Sequence, residues 1–171
     1  MDEKRLEHSW NVHCYVNEYL RFADAKAFGI VAWTSTVIGA IWVSGVGPHV
    51  LGLRFSRTWT SASTLEGVLG YGAFLSLFIG FALSAWCIKP RLFDPLLVSR
   101  IFFGGIAKYK DGKQYSEAIR GCSLEILVDD VAQHCHVLSK ACVYKYRFVY
   151  WGFVFALMGS VFSCVLWGVV L

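Results

Sequence analysis

The stretch Asn17-Glu-Tyr-Leu-Arg-Phe-Ala-Asp-Ala-Lys-Ala27 decides the fold, because it joins a charged segment to a long apolar one. Its apolar residues recur at intervals of three or four, as on one face of a helix, and it continues directly into the apolar run 28–50. Crossing the hydrocarbon core of a bilayer takes about 20 apolar residues. The stretch therefore predicts a helix that passes from water into a membrane.

Composition and two further apolar runs give the same class of protein. The 171 residues are 56% hydrophobic and 16% charged. Runs 67–88 and 148–171, like 28–50, contain no Asp, Glu, Lys or Arg. Lipid offers no partner for unpaired backbone groups, so each run is expected to be helical. We predict an all-α integral membrane protein with three transmembrane helices, the first of which ends near Gly45, Gly47 and Pro48.

Lysine and arginine placement predicts the orientation. Four lie before the first span, two in the loop 51–66 and ten in segment 89–147. Cytoplasmic segments of membrane proteins are enriched in these residues. The N-terminal helix 1–27 and segment 89–147 are therefore expected in the cytoplasm, and the loop 51–66 and the C-terminus outside. The loop 51–66 has no cysteine, and no disulfide framework is implied.

Segment 89–147 is predicted to form a small cytoplasmic layer of helices with a short β-prone segment. Ile101-Phe-Phe-Gly-Gly-Ile-Ala107 is rich in β-formers and indicates a strand or an extended segment. Asp111-Gly112 signals a turn, followed by either a second strand or, as we prefer, a short helix around 115–120. From about Leu124 a helical pattern runs into the third span, which predicts a second helix crossing from cytoplasm into membrane.

Polar side chains near the membrane boundary are candidates for a charged contact or a switch: Asn17, Asp24, Lys26 and Lys145. An unpaired Asp24 carboxylate would be costly within one or two turns of the hydrocarbon. If the two long helices pack together, Asp24 comes near Lys145 or Arg147. The alternative is that Asp24 is simply an interfacial residue in water.

Small residues recur every four positions in two spans, which favours close packing between helices in lipid. The candidate packing residues are Gly72, Ser76, Gly80, Ser84, Gly152, Ala156, Ser160, Cys164 and Gly168. They are consistent with one intramolecular contact plus assembly into a homo-oligomer. Small residues are also common in membrane spans without any such role.

Basic and aromatic residues interleave in the cytoplasmic segment, as a site for a nucleotide's phosphate and base would require. The candidate ligand residues are Arg91, Arg100, Phe102, Phe103, Lys108, Tyr109 and Tyr115. The alternative is that these residues are basic because cytoplasmic loops generally are.

Other chemistries find little support in the sequence. His134-Cys135-His136 and His13-Cys14 contain metal-ligand residue types, but not at metal-binding spacing, and helix polar faces explain them more simply. No catalytic motif nominates an enzyme, no cofactor or metal is implied, and a nucleic-acid polymer is not an expected partner. The spans also lack charged residues that would line a selective ion path.

Several motifs taken together resemble the transmembrane Pycsar effector family of bacterial antiphage defence. The resemblance covers about residues 8 to 160. Its most specific element is Asn17-x-x-Leu20-x-x-Ala23-Asp24-x-Lys26-Ala27 entering a span. The shorter elements are Pro95, Ile101-Phe-Phe-Gly-Gly-Ile106, Tyr115, Asp130-Val-Ala-Gln133, Leu138-Ser139 and Lys145-Tyr146.

The resemblance implies an effector in the bacterial inner membrane that senses a cyclic nucleotide made by a partner cyclase. A cyclic pyrimidine monophosphate is the ligand it implies first, although related effectors serve other nucleotide signals. Ligand binding would shift the population between two helix arrangements and so impair the bilayer, by oligomer rearrangement or pore formation. The alternative function is a constitutive membrane scaffold or accessory subunit without ligand response.

Overall fold

The computed structural model describes residues 2–50, 64–89 and 100–170, and every regular element in those ranges is helical. Three helices, α1 (Asp2–Val43), α3 (Thr64–Ile88) and α6 (Leu124–Val170), are long and apolar enough to cross a membrane. Three shorter helices are α2 (Val46–Val50), α4 (Phe103–Ile106) and α5 (Gly112–Arg120). The predicted class, an all-α integral membrane protein with three transmembrane helices, is confirmed.

Both helices predicted to run from a polar segment into a span are continuous. Helix α1 has 42 residues and α6 has 47, with no interruption where either enters its apolar run. At about 1.5 Å per residue, α6 is about 70 Å long, more than twice the roughly 30 Å of the hydrocarbon core. Each helix therefore extends well beyond the segment that lipid can cover.

The first long helix ends before residue 50, the last residue of the apolar run 28–50. Helix α1 stops at Val43, and Gly45 has a φ of +80°, a backbone conformation that glycine adopts readily. Its N–H donates to the Trp42 carbonyl at 3.2 Å, and the short helix α2 follows with Pro48 inside it. The glycine turn predicted here is present, and it divides the apolar run into two helices.

The prediction of a strand or extended segment at 101–107 is wrong. Residues Phe103–Ile106 form the one-turn helix α4, in which the N–H groups of Gly105 and Ile106 both donate to the Phe102 carbonyl at 2.9 Å. The β preference of such residues depends on a partner strand, and the described residues contain none. The predicted helix after Asp111 is confirmed as α5, with the Asp111 side chain accepting from the Gln114 N–H at 2.8 Å.

The chain divides into two compact units. The polar unit comprises Met1–Phe22 and Pro90–Tyr144, and the membrane unit comprises Ala23–Lys89 and Lys145–Leu171. Helices α1 and α6 contribute to each unit. The predictions for residues 51–63, and those for Arg91 and Pro95, lie outside the described residues.

The core of the membrane unit consists of small and branched side chains. One buried cluster contains Ala23, Ala27, Ile30, Cys87, Val149 and Ala156, from α1, α3 and α6. A second joins Val46 and Val50 of α2 to Leu166 of α6. Hydroxyl groups within the helices are satisfied locally, as when Thr34 donates to the Ile30 carbonyl at 2.8 Å and Ser163 to Gly159 at 2.7 Å.

Candidate functional site

Helices α3 and α6 pack closely at two glycines of the membrane unit. A Cβ atom on Gly80 would lie 2.9 Å from the Ala156 nitrogen and 3.0 Å from the Gly152 carbonyl oxygen. A Cβ atom on Gly152 would lie 2.5 Å from the Ser84 Oγ. Only glycine lets the two backbones approach this far. The small-residue pattern therefore serves a contact within one chain, and assembly into an oligomer stays a prediction.

The four-residue spacing predicted along α6 holds only at its start. Gly152 and Ala156 are buried, but Ser160 is half-buried, and Cys164 and Gly168 are exposed. Four residues of α-helix turn by about 400°, so a strict spacing of four drifts off a straight contact by about 40° at each step. The buried face continues instead through Gly159, Ser163 and Leu166.

On α3 the predicted pattern lies closer to the observed contact. Ser76, Gly80 and Ser84 are buried, and a Cβ atom on Gly72 would meet the Phe162 ring at 3.4 Å. The side-chain oxygen of Ser84 has no hydrogen-bond partner among the described residues, in keeping with its position against Gly152.

An ion pair joins α1 to α6 at the start of the membrane unit. Lys145 Nζ lies 2.5 Å from Asp24 Oδ1, with the two side chains 15% and 35% exposed. The predicted contact between Asp24 and Lys145 is thus confirmed, whereas Arg147 is exposed. Lys26 instead lies over the Tyr146 ring, 5.3 Å from its centroid, and Asn17 is exposed on α1 in the polar unit. A role for these residues in switching remains a prediction.

In the polar unit, the structure groups three of the predicted ligand residues. Arg100 Nη1 donates to Asp130 Oδ2 on α6 at 3.2 Å, and the Tyr115 hydroxyl donates to the Arg100 carbonyl at 2.8 Å. The Tyr109 and Tyr115 rings lie 5.3 Å apart. The hydrogen bond to Asp130 raises the pKa of the Arg100 guanidinium above its usual value, so this group keeps its charge.

One donor of Arg100 has no partner within the described part of the chain. Its Nε is buried and has no hydrogen-bond partner among the described residues. A buried N–H without a partner costs free energy, which a bound acceptor would recover. The guanidinium can therefore hold Asp130 with one nitrogen and still offer a second donor to an anion.

Four aromatic rings form a row of contacts in the polar unit. Ring centroids are 5.4 Å apart between Phe102 and His134, 5.2 Å between His134 and His13, and 5.2 Å between His13 and Trp10. Burial, and next the nearby His13, lower the pKa of His134, and His13 Nδ1 is buried with no partner in the described part of the chain. The sequence favours helix polar faces for both histidines and gives no sign of this contact between α1 and α6. No group of three potential metal ligands occurs among the described residues.

Three predicted ligand residues remain, namely Lys108, Phe103 and Arg91. Lys108 is exposed, and the side chain of Phe103 and all of Arg91 lie outside the described residues. A separate groove of about 200 Å³ in the polar unit is lined by Arg5, Glu125, Val128, Asp129 and Ala132. It is smaller than the roughly 300 Å³ at which ligand pockets usually begin.

Comparison with known proteins covers nearly the whole chain. Residues 8–171 match the family model described as the Pycsar effector protein domain. The chain is 26% identical over 152 residues to the Pycsar effector protein SaPycTM of Staphylococcus aureus, covering 89% of this chain and 86% of that protein. No solved structure matches.

The three helices long and apolar enough to cross a membrane agree with the family match, and the family implies membrane association and a cyclic-nucleotide signalling context. The effectors of this family are not enzymes. From the extent of the match, the chain belongs to the Pycsar effector family and is a non-enzymatic transmembrane effector of antiphage defence.

Proposed function

We propose that the chain senses a cyclic nucleotide with its polar unit and responds by impairing the bacterial inner membrane. The first candidate ligand is a cyclic pyrimidine monophosphate. The observation that carries the proposal is the state of Arg100. Its guanidinium is held by Asp130 of α6 and keeps one buried donor without a partner among the described residues. Family membership supplies the signalling context.

The ligand's phosphate binds Arg100 through charge-assisted hydrogen bonds. Its base stacks on an aromatic ring, and Tyr109 and Tyr115 are the nearest candidates because the Tyr115 hydroxyl bonds the Arg100 backbone. A guanidinium is the suitable group here, since its planar fork of N–H donors matches two oxygens of one phosphate.

Binding has a consequence for α6. A phosphate beside Arg100 brings a negative charge close to the Asp130 carboxylate, and like charges repel. The ligand therefore competes with Asp130 for the guanidinium and favours an arrangement of α6 in which their hydrogen bond is broken. Helix α6 is continuous from Asp130 to Lys145 and through the third span.

The response then involves the membrane unit, where Lys145 holds α6 to Asp24 of α1. A ligand that prefers one arrangement tenfold shifts the equilibrium by only about 1.4 kcal/mol. The two arrangements must therefore be close in free energy. Rearrangement of a homo-oligomer or opening of a pore would then damage the membrane.

Calorimetry on the purified full-length chain tests the sensing step. The panel is cyclic UMP, cyclic CMP, cyclic AMP, cyclic GMP and one cyclic dinucleotide. We expect a pyrimidine mononucleotide to bind best, and Arg100→Gln to weaken it at least about tenfold, the value of a charged hydrogen bond. The matched control is Lys113→Gln, at an exposed position on α5.

Absence of binding by the whole panel, or equal affinity in wild type and Arg100→Gln with unchanged helix content, would overturn the proposed site. Binding without any loss of membrane potential would instead favour the constitutive scaffold.

A further inference from the structure

An apolar groove runs between α1 and α6 in the membrane unit. Its volume is about 760 Å³, and its walls include Gly29 and Trp33 of α1 and Val149, Phe153 and Leu157 of α6. Trp33, Phe153 and Leu157 are each more than half exposed, so the groove opens outward at the level of the spans.

The two ends of the groove differ in charge. Lys26 and Tyr146 line one end, two residues before the first apolar run and two before the third. At the other end, the Trp33 Nε1 donates to Ser160 Oγ at 2.9 Å, and Ser160 donates to the Ala156 carbonyl at 2.8 Å. The polar groups at the Ser160 end are therefore hydrogen-bonded to each other, and the interior of the groove is apolar.

Among the described residues, Lys26 is a cation without a counter-charge. Its nearest carboxylate in sequence, Asp24, is paired with Lys145, and no described carboxylate forms an ion pair with Lys26. The Lys26 ammonium lies over the Tyr146 ring at 5.3 Å and is exposed. An ammonium at the edge of the hydrocarbon is well placed to bind a headgroup phosphate.

The length of the groove matches one leaflet. Tyr146 and Ser160 both line it and are 14 residues apart on α6, which corresponds to about 21 Å of helix. One leaflet contributes about 15 Å of hydrocarbon, with the headgroup layer beyond it. An acyl chain anchored at Lys26 would thus extend along the groove toward the Trp33–Ser160 hydrogen bond.

We propose that this groove binds one anionic phospholipid, with its headgroup phosphate on Lys26 and an acyl chain between α1 and α6. A nucleotide does not fit the apolar interior. A second copy of the chain could cover the apolar part, but the apolar runs 28–50, 67–88 and 148–171 contain no Asp or Glu to pair with Lys26. A phospholipid supplies an acyl chain for the apolar walls and a phosphate for the charged end.

Native mass spectrometry of the full-length chain tests the proposal after exchange into mixed phosphatidylcholine and phosphatidylglycerol. Wild type is expected to retain one phosphatidylglycerol in preference to phosphatidylcholine. Lys26→Gln should lower that preference about fivefold, the contribution of one basic residue at a membrane surface. Arg21→Gln, at an exposed position on α1 outside the groove, should leave the preference unchanged.

A second pair of variants tests the acyl site. Gly29→Leu places a side chain in the open groove, where a Cβ atom meets nothing within 4 Å, so the helices need not move. Gly39→Leu is the matched control, since a Cβ atom there also meets nothing within 4 Å and Gly39 does not line the groove. We expect the first to abolish retention of the lipid and the second to preserve it.

Three results would overturn the proposal. These are equal retention of the two lipids by wild type, equal losses in the Lys26 and Arg21 variants, or a dimer whose cross-links map to Trp33 and Phe153. The first two would indicate ordinary boundary lipid, and the third would assign the groove to a second copy.

Discussion

The Lys145 ammonium of α6 donates a hydrogen bond to the Asp24 carboxylate of α1, just before both helices enter their apolar runs. Either group alone would be costly near hydrocarbon, and pairing lowers that cost for both. The pair therefore fixes the relative positions of two helices that otherwise meet through small apolar side chains such as Ala23 and Ala27.

Removing one partner should lower the free energy of unfolding by more than the intact pair contributes to it. Asp24→Asn, Lys145→Met and the double variant form a mutant cycle, and we expect a coupling free energy of about 1–2 kcal/mol. Thermal unfolding in detergent measures it, with Glu18→Gln, exposed on the same helix, as a control. Full additivity would show that the two groups do not interact.

Close packing of α3 on α6 predicts a strong effect at Gly80. A Cβ atom there meets backbone atoms of Gly152 and Ala156, which cannot move aside as a side chain can. Gly80→Ala should lower the free energy of unfolding by about 1–3 kcal/mol. Gly168→Ala is the matched control, because a Cβ atom there meets nothing within 4 Å, and a similar loss in both would contradict the packing.

The proposed competition for Arg100 predicts that weakening Asp130 favours the bound state. Asp130→Asn removes the carboxylate charge and should raise nucleotide affinity several-fold, because less interaction must be broken. Asp129→Asn tests the neighbouring carboxylate, which accepts from Gln133 and is exposed. Calorimetry should distinguish the two, and weaker binding by Asp130→Asn would contradict the competition.

His134 predicts a pH dependence of stability. Burial, with a smaller effect of His13, lowers the pKa of His134 below its ordinary value of 6.5. The unfolded chain then takes up this proton at a higher pH than the folded one, so stability falls as pH drops through 6.5 and levels off below the folded-state pKa. Between pH 8 and 5, the melting temperature of His134→Gln should depend less on pH than that of wild type. The exposed control His136→Gln should keep the wild-type pH dependence. Equal dependence of the melting temperature on pH in wild type and both variants would contradict this prediction.

The sequence predicted best where the membrane imposes a strict requirement. An ionisable Asp24 at the edge of a span demands a basic partner, and two uninterrupted helical patterns bring Lys145 to it. Helix continuity in α1 and α6 followed from the absence of breaking residues at both junctions. Lipid excludes unpaired backbone groups, so few other structures were possible for those segments.

Prediction from the sequence failed where tertiary contacts determine the local structure. The segment at Phe102–Ile106 forms a helical turn because no partner strand exists in the described residues, which local preference does not reveal. The contact of His13 with His134 joins residues 121 positions apart, and neither has a local signal beyond helical spacing. The pairing of Arg100 with Asp130 similarly depends on which faces of the chain meet.

Membrane potential is the most direct test of the account. The full-length chain is reconstituted into vesicles of phosphatidylcholine and phosphatidylglycerol carrying a potassium diffusion potential, and a voltage-sensitive dye reports its loss. We predict that a cyclic pyrimidine monophosphate supplied on both sides collapses the potential with wild type, and that Arg100→Gln with the same ligand does not. A nucleotide that binds tightly in calorimetry and leaves the wild-type potential intact would contradict the account.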